Sequence, residues 1–375
     1  MVKPRVFVSA AVLVTVFLGK GLQNDVNVGD SFSVMTSVKE SSTYLPLCGR
    51  DNIRTGKWLE VENRLNAAVM GSSMSTNETR TQYRWLPDGA DNENPALNLC
   101  RYKSEFNTEL FCRLSKNMVI MFIGDSINWE MYQSLVHLLG SKVYKDVHLR
   151  SVYKRLPIVM NVCGNKNVTL VYRWSQYLDG QGSSVPINQM LLEQFPTMII
   201  LNTGAHYQSD NMYRANVKHA LDQMKGWQES CLNRNFTCPF FWRTSTPGIP
   251  NCKNFTKPVN DIHQMELHVA LNPTYHWEGF WHLNDIALQV LNESQVVYEI
   301  IDAYEVGIQR PELHVSETDC LHSKDLAVSD ALNTMLLHYL GAARTTEDVS
   351  RVANYEYNFD RATNVRPDGK DLLWN

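Results

Sequence analysis

The stretch from Lys116 to Gly140 constrains the fold of this chain more than any other. It begins with a continuous apolar run from Met118 to Ile123, which ends abruptly at Gly124-Asp125-Ser126. Apolar residues then recur with helical spacing, at Ile127, Met131, Leu135 and Leu138. A short apolar run, a glycine and then a helical period predict a buried strand, a tight turn and a helix.

Ser126 lies at the junction of this predicted strand and helix. In an α/β sheet, ligands bind at the carboxyl ends of the strands, and the first turn of a helix has N–H groups without intrahelical acceptors. An oxyanion formed beside Ser126 would therefore meet donors that are already in place. Gly-Asp-Ser is also an ordinary turn, and Asp or Ser is an ordinary helix cap. The motif alone leaves both interpretations open.

A second polar motif, Asp319-Cys320-Leu321-His322, leads into the last helical pattern, which begins near Ser329. At this spacing the Asp319 carboxylate can reach Nδ1 of His322, fix the tautomer and leave Nε2 free to take a proton from a serine. An isolated Asp-x-x-His is also common in surface loops. Beside a serine at a strand-to-helix turn, the pair predicts a Ser-His-Asp triad.

The rest of the chain alternates apolar runs with helical patterns. Further strands are predicted at 168–174, 197–202, 238–243 and 296–303, and amphipathic helices at 210–229 and 280–291. Strands that alternate with helices indicate βαβ units. We therefore expect an α/β fold, a three-layer αβα sandwich with a mainly parallel central sheet, plus an extended N-terminal arm tied down by a disulfide.

Composition narrows the choice of partners. The chain has 375 residues, is 44% hydrophobic and carries a net charge of −4. Its lysines and arginines are scattered, which disfavours nucleic acid and an anionic membrane surface as partners and favours a neutral or weakly charged ligand. His263, Glu266 and His268 do not form a His-Glu-x-x-His pattern, so we expect no metal and no cofactor.

The N-terminus predicts export. Lys3 and Arg5 precede an apolar run from Val6 to Gly19, which is shorter than the roughly 20 residues that cross a bilayer. Residues 1–22 are therefore interpreted as a signal peptide, with a short signal anchor as the alternative and the only predicted membrane contact. The other predicted units are an arm at 23–110 packing on the core, a catalytic domain at 111–345 and a tail at 346–375.

Cysteines and glycosylation sequons agree with an oxidising compartment. Eight cysteines follow the apolar run, and this even number suggests disulfides without choosing among the possible pairings. Five Asn-x-Ser/Thr sequons suggest glycosylation, at Asn77, Asn167, Asn235, Asn254 and Asn292. Together these features predict the secretory pathway, either secretion or the Golgi lumen.

These motifs resemble the PC-esterase branch of the SGNH (GDSL-type) hydrolase superfamily, which includes the trichome-birefringence-like polysaccharide O-acetyltransferases and the sialate O-acetyltransferase domain. The resemblance runs from about Cys48 to Leu340, and its most specific parts are Ile123-Gly124-Asp125-Ser126 and Asp319-Cys320-x-His322. Weaker landmarks follow the family's order: Gly56-Lys57-Trp58, Arg84-Trp85 before Cys100, Trp174-Ser175-x-Tyr177-Leu178, Asn202-Thr203-Gly204-x-His206 and Arg243-Thr244-x-x-x-Pro247.

The resemblance implies a role for each matching residue. Ser126 would be the nucleophile, His322 the base and Asp319 its orienter. Asn202 and Gly204 would help to stabilise the oxyanion. Arg243, at the end of a predicted strand, is expected to be a polar donor that binds the oxyanion or the substrate, with a salt-bridged surface group as the alternative. A disulfide between Cys252 and Cys320 is implied as well, and for the arm we hypothesise Cys48–Cys100.

The expected function is acyl-ester chemistry on glycan hydroxyls, by an acetyl esterase or an O-acetyltransferase that forms an acyl-serine. The alternative is a secreted glycoprotein that uses the same fold as a binding module. Plant-type members usually have tryptophan and cysteine after the histidine, whereas Ser323 and Lys324 follow here, and Val328-Ser329-Asp330 replaces a Pro-Asp. Their acceptor specificity is therefore not carried over. Aromatic residues at 276–282 could stack on a sugar, but such spacing is more typical of helix core.

Overall fold

The structure is a computed structural model that describes residues 54–61, 82–90, 102–142, 152, 155–179 and 185–343. Several predictions lie outside these residues: the leader at 1–22, the Cys48–Cys100 pair, the sequon at Asn77 and the tail at 346–375. Among the described residues, the structure contains no helix with both the length and the apolar character needed to cross a membrane.

A short hairpin precedes the main sheet. Strand β1 (Gly56–Val61) pairs antiparallel with β2 (Gln82–Pro87), and Trp58 is opposite Trp85. Both indole rings are buried and pack edge to face, with 5.8 Å between their centroids. Trp58 Nε1 donates to the carbonyl of Val306 at 3.0 Å. The hairpin is therefore fixed to the core through its aromatic pair.

Within the described part of the chain, six strands form the central sheet, in the order β4-β5-β3-β6-β7-β8. They are β3 (Val119–Gly124), β4 (Ile158–Val162), β5 (Val168–Trp174), β6 (Met198–Leu201), β7 (Phe240–Arg243) and β8 (Glu299–Ile301). All neighbouring pairs in this sheet are parallel except β4 with β5. The predicted mainly parallel sheet is confirmed, and the antiparallel edge strand β4 is an addition that the sequence analysis did not predict.

Helices cover both faces of the sheet. In chain order they are α1 (Thr108–Leu114), α2 (Ser126–Leu138), α3 (Ile187–Gln194), α4 (Asp210–Leu232), α5 (Ile262–Leu271), α6 (Phe280–Glu293), α7 (Ala303–Ile308) and α8 (Ala327–Ala343). One core cluster contains side chains of α2, α8 and the hairpin, and another contains side chains of α3, α4 and α6. This arrangement is the predicted three-layer αβα sandwich.

Strand β3 shows why the sheet needs two covering layers. Its six residues are all buried. Ile120 and Phe122 belong to the cluster that includes α2 and α8, whereas Met121 and Ile123 belong to the cluster that includes α4. Successive side chains of a strand point to opposite faces. A central strand that is apolar at every position is therefore stable only between two layers of helices.

Three disulfides lie among the described residues: Cys112–Cys163, Cys231–Cys238 and Cys252–Cys320. The last is the pair that the resemblance implied, with 5.6 Å between its Cα atoms. It joins the segment after β7 to the loop that precedes α8.

Candidate active site

Gly124 makes the turn between β3 and α2 possible. Its φ is +159°, and a Cβ at this position would lie 2.5 Å from the carbonyl oxygen of Asn202 and 2.9 Å from Cβ of Asn128. Real Cβ atoms do not approach other atoms so closely, so a side chain here would push β3 and β6 apart. Glycine is therefore required where the two strands end side by side.

Asp125 and Asn128 fix the start of α2. Asp125 is the N-cap, and its Oδ1 accepts the N–H of Ile127 at 3.0 Å. Asn128 is fully buried and donates through Nδ2 to the carbonyls of Ile123, at 2.9 Å, and Ile200, at 3.3 Å. The helix-cap interpretation of the Gly-Asp-Ser motif is therefore correct for Asp125. It does not compete with a chemical role for Ser126, which is the first residue of the helix.

The structure brings Ser126, His322 and Asp319 together. Ser126 Oγ lies 2.8 Å from His322 Nε2, although the two residues are 196 positions apart in the sequence. His322 Nδ1 lies 3.0 Å from each carboxylate oxygen of Asp319. An ionised carboxylate only accepts hydrogen bonds, so Nδ1 carries the proton and Nε2 presents its lone pair to the serine hydroxyl.

Asp319 is held in its ionised form by its own loop. Partial burial raises the pKa of Asp319, but the N–H and the ring of His322, together with the N–H of Leu321, more than offset this effect. The net result is a pKa below the usual value of an aspartate. Both side chains keep access to solvent, with 38% of Asp319 and 32% of His322 exposed. A substrate can therefore reach the imidazole.

The loop that carries Asp319 and His322 is anchored on several sides. The carbonyl of Cys320 accepts the N–H of Ile249 at 2.9 Å, next to the Cys252–Cys320 disulfide. Val315 N–H donates to the carbonyl of His322 at 3.0 Å, within a short antiparallel pairing of 313–315 with 322–324. These contacts hold the imidazole without using its ring atoms.

Asn202 lies at the end of β6, but its amide is engaged. The side chain is fully buried, and Nδ2 donates to the carbonyl of Arg243 at 3.0 Å and to Ser245 Oγ at 3.2 Å. Gly204 has a φ of +152°, and a Cβ there would lie 2.5 Å from the same Ser245 Oγ. The oxyanion roles of Asn202 and Gly204 stay predictions, and in this conformation both hydrogens of the Asn202 amide have other acceptors.

Arg243 lies underneath the site and not at its surface. Only 1% of it is exposed, so the description as a surface salt-bridged group is wrong. Nη1 donates to the carbonyl of Thr244 at 3.2 Å. Burial lowers the pKa of Arg243 to about 10, while the charges of Glu130 and Asp125 act in the opposite direction. The guanidinium therefore contributes positive charge below the site and does not offer a donor to a substrate in this conformation.

Glu130 is a site residue that the sequence analysis missed. It follows Ser126 by one helical turn, and its Oε1 accepts the N–H of Ser323 at 2.9 Å. Burial raises the pKa of Glu130 to about 7, with smaller opposing effects from the Ser323 N–H, His322 and Arg243 and a smaller additional rise from Asp319. The available signal was the spacing of four residues from Ser126, which places both side chains on one face of a helix.

The aromatic segment at 276–282 belongs mostly to the core. Trp277 and Phe280 are buried in a third apolar cluster, as the helix-core interpretation expects. Trp281 is 53% exposed, and His282 Nε2 lies 2.9 Å from Asp210 Oδ2 at the surface.

A family model described as PC-Esterase, the GDSL/SGNH-like acyl-esterase family found in Pmr5 and Cas1p, matches residues 104–223. The matched segment includes Ser126 and Asn202 and ends before Asp319 and His322. No curated protein matches the sequence at a significant level.

Three of the solved structures that match this chain come from bacteria. A GDSL-like lipase from Bacteroides thetaiotaomicron is 11% identical, covers 59% of this chain and 88% of its own, and has a TM-score of 0.29. The periplasmic domain of a lipopolysaccharide acetyltransferase from Salmonella ser. Paratyphi A is 12% identical, with coverages of 62% and 88% and a TM-score of 0.34. A putative platelet activating factor protein from Streptococcus pneumonia is 17% identical, with coverages of 62% and 90% and a TM-score of 0.28.

Proposed function

We propose that this chain, whose residues 104–223 match the model of the PC-esterase family of GDSL/SGNH-like acyl-esterases, transfers acetyl groups from or to glycan hydroxyls through an acyl-serine at Ser126. The observation that carries the proposal is the 2.8 Å contact between Ser126 Oγ and His322 Nε2. A nucleophile within hydrogen-bond reach of a base, with the base oriented by a third group, is the arrangement that activates a serine.

In the first half-reaction, Ser126 Oγ attacks the carbonyl carbon of an acetyl ester, and its proton moves to His322 Nε2. The carbonyl oxygen becomes an oxyanion, and the N–H of Ser126, as the first residue of α2, is one donor available to it. When the intermediate collapses, the bond to the leaving oxygen breaks and His322 returns the proton to that oxygen. Asp319 stabilises the imidazolium throughout.

In the second half-reaction, a hydroxyl attacks the acyl-serine, and His322 takes its proton. If water attacks, acetate leaves and the protein is an esterase. If a sugar hydroxyl attacks, a new ester forms and the protein is an O-acetyltransferase. Both outcomes return the proton to Ser126 Oγ, so they share every residue named here.

Glycosylation and export are part of the same proposal. The described sequon asparagines Asn167, Asn235, Asn254 and Asn292 are all exposed, as glycan attachment requires. The three disulfides among the described residues fit an oxidising compartment. We therefore propose a lumenal or secreted glycoprotein.

The test compares Ser126→Ala with Ser230→Ala, which removes an exposed hydroxyl on α4. Each protein is incubated with 4-nitrophenyl acetate, with an acetylated glycan, and with an acetyl donor plus unmodified glycan, and free acetate and acetylated glycan are quantified. Wild type and Ser230→Ala should react and bind a fluorophosphonate probe covalently. Ser126→Ala should lose turnover by at least about 10⁴-fold and should not be labelled.

The binding-module alternative predicts a different result. Wild type would resist the probe, turn over none of these substrates and bind glycan equally well with or without the Ser126 hydroxyl. That outcome would overturn the proposed function.

A further inference from the structure

Helix α2 contains Ser126 and also contacts the loop that carries His322. Ser126 is the first residue of this helix, and Glu130 lies four residues later on the same face. Glu130 Oε1 accepts the N–H of Ser323 at 2.9 Å, and Ser323 directly follows His322. One turn of helix, about 5.4 Å long, therefore carries the reactive hydroxyl at one end and an anchor for the histidine loop at the other.

We propose that Glu130 is a positioning residue for acyl transfer, which ties the loop of His322 to the helix that carries Ser126. The inference rests on the proposed function, since it assigns Glu130 a part in the reaction of Ser126. Hydrogen bonds within a helix keep Ser126 and Glu130 at a fixed separation. A loop bonded to Glu130 therefore keeps His322 Nε2 at a fixed distance from Ser126 Oγ.

The loop's own disulfide and backbone hydrogen bonds lead away from α2, and the further hydrogen bonds to α2 come from Asp330 and Asn333 of α8, after the loop has ended. The disulfide of Cys320 and the hydrogen bond from Ile249 lead to the segment after β7. The pairing of Val315 with His322 leads to the segment before the loop. These contacts fix the loop relative to its own neighbours, whereas the Glu130–Ser323 contact fixes it relative to the nucleophile.

Charge adds to the effect of position. Three charged groups act on Glu130: His322 and Asp319, which belong to the loop, and Arg243, which is at the end of β7. As an anion, Glu130 accepts a charge-assisted hydrogen bond from Ser323, which is stronger than a neutral one. It also places negative charge near the imidazolium that forms when His322 takes the serine proton. Burial raises the pKa of Glu130 to about 7, against the smaller opposing effect of the Arg243 charge, so this ionised form predominates only above about pH 7.

The variants Glu130→Gln and Glu130→Ala separate position from charge. Glutamine keeps an oxygen that can accept the Ser323 N–H, whereas alanine removes it. We expect kcat for 4-nitrophenyl acetate to fall about 100-fold in Glu130→Ala, because small misplacements of reacting groups cost about this much. Glu130→Gln should stay within about tenfold of wild type, and KM should change little in both variants.

The pH dependence of kcat/KM distinguishes the proposed role from a purely structural one, because a purely structural role would leave it unchanged. Near pH 7, where wild-type Glu130 becomes ionised, its negative charge stabilises the imidazolium. Glu130→Gln lacks this charge, so the acid limb of kcat/KM should move to lower pH. Glu293→Gln, which neutralises an exposed glutamate on α6, is the matched control and should leave the profile unchanged. Thermal unfolding of each variant verifies that it is folded.

Three results would overturn the inference. The first is a Glu130→Ala protein with the kcat of wild type across the pH range. The second is a Glu130→Gln protein as impaired as Glu130→Ala, and the third is a Glu130→Gln protein whose pH profile is that of wild type. If Glu130→Ala does not fold, the pH profile of kcat/KM in Glu130→Gln tests the inference by itself. Ser126→Ala separates the two proposals: residual turnover there rejects the proposed function, whereas an inactive Ser126→Ala beside a fully active Glu130→Ala rejects only the inference.

Discussion

Asp319 holds His322 by the ring and by the backbone with the same carboxylate. Its Oδ1 accepts His322 Nδ1 at 3.0 Å and the N–H of His322 at 3.1 Å. The aspartate therefore sets both the orientation of the imidazole and the course of the chain beneath it. Because of this dual contact, Asp319→Asn and Asp319→Ala should differ in their effects on stability.

Asp319→Asn should lower kcat by up to about 10⁴-fold while leaving the fold intact. The amide oxygen can still accept the backbone N–H of His322, but the amide nitrogen facing Nδ1 favours the wrong tautomer. Asp319→Ala loses both contacts and should also lower the thermal midpoint. Turnover of 4-nitrophenyl acetate and thermal unfolding measure the two effects. An Asp319→Asn protein within tenfold of wild-type activity would contradict the assigned role.

The ionisation of Glu130 should be visible in the stability of the protein. Its pKa is raised from 4.5 to about 7 in the folded state, so the folded protein binds more protons than the unfolded chain between these values. The carboxyl therefore costs stability as the pH rises through this window. Glu130→Gln cannot ionise and avoids the cost. Its free energy of unfolding relative to wild type should increase from about pH 4.5 to about pH 7 and then level off. Urea unfolding at several pH values tests this, and a pH-independent difference would refute it.

Removing the Cys252–Cys320 disulfide should reduce activity as well as stability. The bond closes a separation of 68 residues and holds the loop of His322, whereas Cys231–Cys238 closes a separation of 7 residues. In the chain-entropy model these links are worth about 4 and about 2 kcal/mol. Double serine variants of each pair should both lower the thermal midpoint, the first by more. Only the first should lower kcat, and an equal kcat in the two variants would show that the tether does not position the base.

Trp58 should account for much of the hairpin's attachment. It is 3% exposed, its Nε1 donates to Val306, and the guanidinium of Arg310 lies 4.2 Å from its ring centroid. Trp58→Ala should destabilise the fold by about 3–5 kcal/mol, and Trp58→Phe by about 1 kcal/mol for the lost hydrogen bond. Trp281→Phe, at a side chain that is 53% exposed, should stay within about 0.5 kcal/mol. Similar losses for Trp58→Ala and Trp281→Phe in chemical unfolding would contradict the packing described here.

The parts of the site that the sequence predicted are those encoded by local patterns. The β3 strand, its glycine and Ser126 form one continuous signal, and Asp319 and His322 are three residues apart. The strand from Val168 to Trp174 was predicted with the bounds that the structure has. In each case the information lies within a few residues, where backbone preference and side-chain period determine the outcome.

The missed features depend on partners far away in the chain. Glu130 gains its role from Ser323, 193 positions later. The Asn202 amide donates to the carbonyl of Arg243, the last residue of the neighbouring strand β7, and to Ser245, two residues later. The burial of Arg243 depends on the layers above and below β7. The polar residues were placed correctly at strand ends, but their hydrogen-bond partners are determined by tertiary packing.

The separation of Ser126 and His322 along the chain also determines when the reactive pair can exist. During synthesis the ribosome adds roughly 5–20 residues per second, so the 196 positions between them correspond to about 10–40 s of elongation. Throughout that interval the nascent chain carries a serine at its strand-to-helix turn with no base beside it. Under the proposed function the protein is therefore made in an inert form, and Ser126 gains its contact with His322 only after the last described strand of the sheet, which ends at Ile301, has been translated.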